Sequence, residues 1–113
     1  MNKDIQEFND LVRQYKFVEA IERFYDENVV FGDNANPTKT GKAALLAAAN
    51  GFLGAVKPES MELQSQIFKD GLLATVWRYV FIHPQAGKLD FNQLSVQKWK
   101  GGKVVQEHHY NGF

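Results

Sequence analysis

The sequence predicts an α+β fold, a strongly curved antiparallel sheet wrapped as a cone-shaped barrel around three N-terminal helices. Three observations carry that expectation. Apolar residues recur at helical spacing through the first quarter of the chain. An Ala- and Leu-rich stretch near the middle supplies a third helix. From Glu59 onward, alternating runs rich in β-branched and aromatic residues are separated by short Gly-containing turns. Helices segregated from an antiparallel sheet define this class. At 113 residues the chain is expected to be one domain, 1–113, large enough for a single core.

Each element has its own signal. Ile5, Phe8, Val12 and Tyr15, with Leu11 beside them, predict a helix over 2–14. Phe17, Ala20, Ile21 and Phe24 fall at i, i+3, i+4 and i+7 and predict a second. The break at Lys16–Phe17 has no Gly or Pro to enforce it. Val29, Val30 and Phe31 begin a strand that runs into "GDNANPTKTG", a loop by its Gly, Asn, Asp and Pro content. Thr40 is expected to cap the third helix. That helix, "GKAALLAAANGFLGAV", is apolar nearly all round, which predicts that it is largely buried. Gly51 and Gly54 weaken its end, and Lys57-Pro58 stops it. Four strands follow: "MELQSQIF", "LATVWRYVFI", "LDFNQLSVQKW" and "VVQEHHY". "KDG", "HPQAGK" and "KGGK" turn between them.

Composition narrows the partners. Thirteen basic residues balance thirteen acidic ones, and they form no stripe, so a nucleic acid is not expected. No run of apolar residues is long enough to span a membrane. The start, Met1-Asn2-Lys3-Asp4, lacks the apolar region of a secretory signal. Cysteine is absent, which excludes disulfides and thiolate chemistry and makes a reducing cytoplasm the expected compartment. The expected partners are a small molecule and a second copy of the chain.

Strand parity assigns side chains to faces. With bulged, three-residue loops at "KGGK" and "KDG", odd positions share one face and Glu62 lies opposite Arg78. A two-residue turn would break this parity. The odd face then holds Trp77, Tyr79, Phe81, Gln93, Ser95, Glu107 and His109. An aromatic wall with a few convergent polar groups describes a small-molecule pocket. The even face holds Val76, Val80, Leu94, Val96 and Val104, an apolar strip suited to a sheet-to-sheet homodimer. His108 and His109 point to opposite faces, so they cannot chelate one metal, and neither a metal nor a cofactor is expected. Glu107 and His109 share a face, about 6 to 7 Å apart along the strand.

Three stretches carry a family resemblance: "FYDENVVF", "NPTKTGKAAL" and "NQLSVQKWKGGKVVQEHHY". Their order along the chain resembles the SnoaL-like branch of the nuclear transport factor 2-like superfamily. The resemblance implies a cone-shaped α+β fold, commonly dimeric, shared by ketosteroid isomerase, polyketide cyclases, limonene-epoxide hydrolase and many binding domains. In SnoaL-like cyclases the last strand typically reads "GKIxEHWD", with its His and Asp facing the cavity. Those two positions fall on Glu107 and His109, so the acid and the imidazole are exchanged. Asp33 is the nearest acidic candidate for the base of ketosteroid isomerase, although an Asp followed by Asn34 also reads as a turn.

The functional expectation is cofactor-independent proton transfer on a small, largely apolar, oxygenated ligand. His109 is the candidate acid/base, because imidazole titrates near neutral pH, and Glu107 is its partner. Tyr79 or Trp77 would donate to a ligand oxygen. Gln93 and Ser95 are neutral polar groups on a buried face and need partners. Tyr25 and Phe31 complete the candidate ligand wall. The alternative is a non-catalytic ligand-binding or dimerisation module. In a third reading Trp77, Tyr79 and Phe31 fill the cone and leave no free volume.

Overall fold

The computed structural model describes residues 2–111. Helices α1 (Asn2–Arg13) and α2 (Phe17–Phe24) lead into strand β1 (Tyr25–Asp33). A two-residue strand β2 (Lys39–Thr40) precedes helix α3 (Lys42–Ala55). Strands β3 (Lys57–Lys69), β4 (Leu72–His83), β5 (Gly87–Lys100) and β6 (Lys103–Asn111) complete the chain. The sheet order is β2-β1-β6-β5-β4-β3. All neighbours are antiparallel except β1 and β6, which run parallel. The α+β class is as expected, but the curved sheet is mixed and unclosed rather than an antiparallel barrel. The α3 crossover carries the chain from β2 at one edge to β3 at the other, and three hairpins return it so that β6 lies parallel beside β1.

The break between α1 and α2 has a local cause. Tyr15 adopts φ +60°, and the Lys16 amide donates back to the Leu11 carbonyl at 2.9 Å, a helix-ending arrangement usually given to Gly. Side-chain bonds hold Tyr15 there. Its hydroxyl lies 2.6 Å from the Val80 carbonyl and 2.9 Å from that of Ser60. Further along α1, buried Asn9 exchanges hydrogen bonds with Gln66, which also donates to Thr75. These contacts lock α1 across β3 and β4.

Both tight hairpins close differently from the expectation. Asp70-Gly71 and Gly101-Gly102 are two-residue turns with positive φ at both positions, the geometry that matches strand twist. Bulges deeper in the strands, at Gln64 and Val105, then restore parity. Glu62 does face Arg78, and Gln97 faces Glu107. Turnward of the bulge the order changes: Val104 pairs with Trp99 and is fully buried, so it belongs to the core and not to the outer strip. Val80, 5 % exposed, is also already covered.

Two expectations about α3 fail. Thr40 lies in β2, and Gly41, at φ +112° and with no side-chain bond, is the N-cap. No residue of α3 is buried. The helix lies across the open side of the sheet, so Leu45, Leu46, Ala49, Phe52 and Leu53 are only half-buried against the core. The core sits at the narrow end, where Ile5, Phe8 and Phe24 meet Trp99 and Val104.

Candidate functional site

Three strands present inward side chains in rows. Leu73, Gln97 and Glu107 form one, Thr75, Ser95 and His109 the next, and Trp77, Gln93 and Asn111 the third. Polar groups therefore dominate β5 and β6, while β4 supplies Thr75 and, toward its far end, the rings of Trp77, Tyr79 and Phe81. Phe17, Phe52, Tyr79, Phe81 and Phe91 face this polar stripe, their ring centroids 5.1 to 6.3 Å apart. Between the two sides lies a cavity of about 490 Å³, within the ordinary range of small-molecule sites. Its exposed lining residues include Asp33, Pro37, Lys39 and Asn111 at the mouth.

At the inner end is a hydrogen-bonded chain. Trp99 Nε1 donates to Gln97 Oε1 at 2.9 Å. An indole can only donate, so this contact fixes the orientation of the Gln97 amide. Its Nε2 then faces Glu107 Oε2 and the Tyr25 hydroxyl. Tyr25 also donates to Glu107 Oε2. The second carboxylate oxygen, Oε1, lies 3.3 Å from His109 Nε2. Glu107 is 7 % exposed, and the His109 side chain 34 %, so the pair bridges the buried chain and the open cavity.

Charge follows from this geometry. Burial works to raise the Glu107 pKa, but the adjacent His109 and the donors His109, Tyr25 and Gln97 outweigh it and hold the carboxyl below its usual range. Burial works to lower the His109 pKa, but Glu107 and, less strongly, Asp33 raise it. Each partner therefore favours the charged form of the other, carboxylate beside imidazolium. Tyr25 is pushed well above the ordinary phenol value, by burial first and then by Glu107. Burial does the same to Tyr79. With Nε2 committed to Glu107, Nδ1 is the His109 nitrogen left for another partner. A neutral His109 thus carries its proton on Nε2 and its lone pair on Nδ1.

All eight expected site residues, Tyr25, Phe31, Trp77, Tyr79, Gln93, Ser95, Glu107 and His109, line this one cavity. The volume contradicts a cone filled by Trp77, Tyr79 and Phe31. Gln93 is occupied by Asn111, to which it donates at 2.9 Å. His83 stays at its hairpin, accepting from the amides of Gln85 and Ala86. Sequence reasoning missed the roles of Gln97 and Trp99. Their i, i+2 spacing on the same face as Ser95 was the available signal. It also missed the helical wall of Phe17, Leu45, Ala49 and Phe52, because sequence spacing does not tell how a helix lies across a sheet.

The SnoaL-like domain profile matches residues 5–107. No curated protein matches the chain significantly in sequence. Among solved structures, a proposed SnoaL-like polyketide cyclase from Mesorhizobium loti superposes with a TM-score of 0.86 at 14% identity, covering 96% of this chain and 97% of that one. An NTF2-like protein of unknown function from Burkholderia pseudomallei gives 0.82 at 9% identity, over 96% and 88%. A proposed isomerase from Bacillus subtilis gives 0.80 at 16% identity, over 97% and 84%. At these identities the structural likeness speaks for the fold. The match over residues 5–107 decides the family: the chain belongs to the SnoaL-like domain family.

Proposed function

We propose that the cavity holds a small, largely apolar, oxygenated molecule and that His109 moves a proton on it. The observation that carries this reading is the contact of His109 Nε2 with Glu107, which leaves Nδ1 as the reacting nitrogen. In the neutral ring, the Nδ1 lone pair takes a proton from carbon next to a carbonyl. The C–H electron pair moves into the carbonyl, giving an enolate whose oxygen accepts a hydrogen bond from Tyr79 or Trp77. Nδ1–H then returns the proton at another position, so the net change is an isomerisation or ring closure that needs no cofactor. Glu107 is held ionised by its three donors. It acts as the partner that orients and charges the ring rather than as the base. Only neutral His109 takes the first proton, so the rate rises with pH through a pKa above the ordinary imidazole value.

Proton–deuteron exchange in a panel of cyclic ketones, followed by NMR, tests this reading. Wild type exchanges the carbon-bound proton of at least one ketone, and His109→Ala slows that exchange by about 10²–10⁴-fold. Equal rates in both proteins would leave a non-catalytic ligand-binding or dimerisation module. That alternative is supported by the way the protein itself satisfies Glu107.

The proposal includes a homodimer through the outer sheet face. Ile67, Leu72 and Tyr110 are 71 %, 52 % and 42 % exposed, and with half-buried Val76, Leu94 and Val96 they form a strip across β3 to β6. Contiguous apolar strips of this kind mark association surfaces. A cytoplasmic location is consistent with the absence of cysteine. No helix is long and apolar enough to cross a membrane among the described residues.

A further inference from the structure

The histidine beside His109 does not enter the cavity, yet its contacts converge on the cavity mouth. His108 lies on the outer face, where its Nε2 is 2.8 Å from the Asn34 carbonyl. Asn34 is bound twice more to β6: its amide donates to the His109 carbonyl at 2.8 Å, and its side-chain oxygen accepts from the Asn111 amide at 3.0 Å. The residue sits at φ +48°, in the left-handed region that Asn enters more readily than most side chains. Asn34 follows Asp33 and opens the loop that leads to Pro37 and Lys39, and these three residues stand at the mouth. Gly32 makes room for the ring. A Cβ there would come within 3.1 Å of His108 Cε1 and 3.1 Å of Thr38 Cγ2.

We infer that His108 is a positioning residue: it fastens Asn34 from the outer face and so sets where Asp33 and the rim loop stand relative to His109. The two adjacent histidines then divide one task between the faces of β6. His109 works inside the cavity, and His108 holds the rim that covers it. The inference rests on the reading of the cavity as a ligand site, but it concerns the ligand-free geometry. Its failure is therefore separable from a failure to find turnover.

The test is the titration of the His109 ring in the ligand-free protein. The charged and titratable groups that line the cavity with that ring are Glu107 on its own strand, Asp33 and Tyr25 on β1, Lys39 on β2 and Tyr79 on β4; Glu107 and Asp33 act on it directly. Asp33→Asn removes one negative charge and lowers the His109 pKa. His108→Ala releases the rim and lowers it in the same direction by a similar amount. Gly32→Ala does so too, by pressing on the His108 ring and on Thr38 of the rim without deleting any polar group. His108→Gln, whose amide can still donate to the Asn34 carbonyl, keeps the wild-type value. A merely structural loss would not be rescued by Gln in this readout. The inference is overturned if Asp33→Asn shifts His109 while His108→Ala and Gly32→Ala do not. It is overturned equally if Asp33→Asn leaves His109 unmoved. Should His108→Ala fail to fold, Gly32→Ala and His108→Gln still decide the matter.

Discussion

Glu107 is the centre of the buried polar chain at the inner end of the cavity. Three neighbours aim donors at its two oxygens: Tyr25, Gln97 and His109. Hydrogen bonds to a charged group are the stronger class, about 1.5–3 kcal/mol each. Tyr25→Phe should therefore lower the unfolding free energy in urea by about that amount. It should also raise the Glu107 pKa, because the carboxylate loses a donor while its burial is unchanged. An unaltered urea midpoint would mean that the Tyr25 hydroxyl contributes nothing net. Much of this was legible in residue order. Glu107 and His109 share a face by simple alternation, and Ser95 and Gln97 share the facing strand. The participation of Tyr25 was less accessible. It begins β1, whose parallel seat beside β6 is a long-range pairing with no local signal.

At the scale of elements, turn chemistry and bulges act together. Gly71 adopts φ +80°, and a Cβ there would come within 3.0 Å of the Trp99 carbonyl, which accepts no strain cheaply because it is backbone. Gly71→Ala should destabilise by more than about 1 kcal/mol, seen as a lower thermal midpoint. An unchanged midpoint would show that the turn relaxes freely. Asp70-Gly71 and Gly101-Gly102 are the pairs that two-residue turns prefer, but the compensating bulges at Gln64 and Val105 were not readable. A bulge is an unpaired residue in an ordinary-looking strand, and neither Gln nor Val marks one. Helix α3 failed for a related reason. Its apolar composition predicts burial only if something covers both sides, and here one side covers a cavity. Leu73→Ala in the core should accordingly cost about 2–5 kcal/mol. Ala47→Lys on the exposed side of α3 should stay within about 0.5 kcal/mol. A large loss for Ala47→Lys would indicate that another surface rests on this helix.

For the whole molecule, the ion pair at the cavity ties stability to pH. The Glu107 pKa is depressed, so its contribution is present above the unfolded value of about 4.3 and is lost as pH falls through the folded one. The His109 pKa is raised, so its contribution is complete below about 6.5 and is lost as pH rises through the folded value. The pair therefore stabilises most between those limits, and Glu107→Gln should flatten the plateau in chemical denaturation. Association is tested by sedimentation at micromolar concentration. The proposed dimer should run at twice the chain mass, and Ile67→Lys should return it to the monomer. A wild-type monomer would contradict the outer-face assignment. The most direct test of the central claim, a coupled His109–Glu107 pair at the cavity, is an NMR pH titration of all three histidine rings in wild type and Glu107→Gln. The His109 ring should titrate above the free-imidazole value and fall in the mutant. Three rings that titrate alike and ignore the substitution would contradict it.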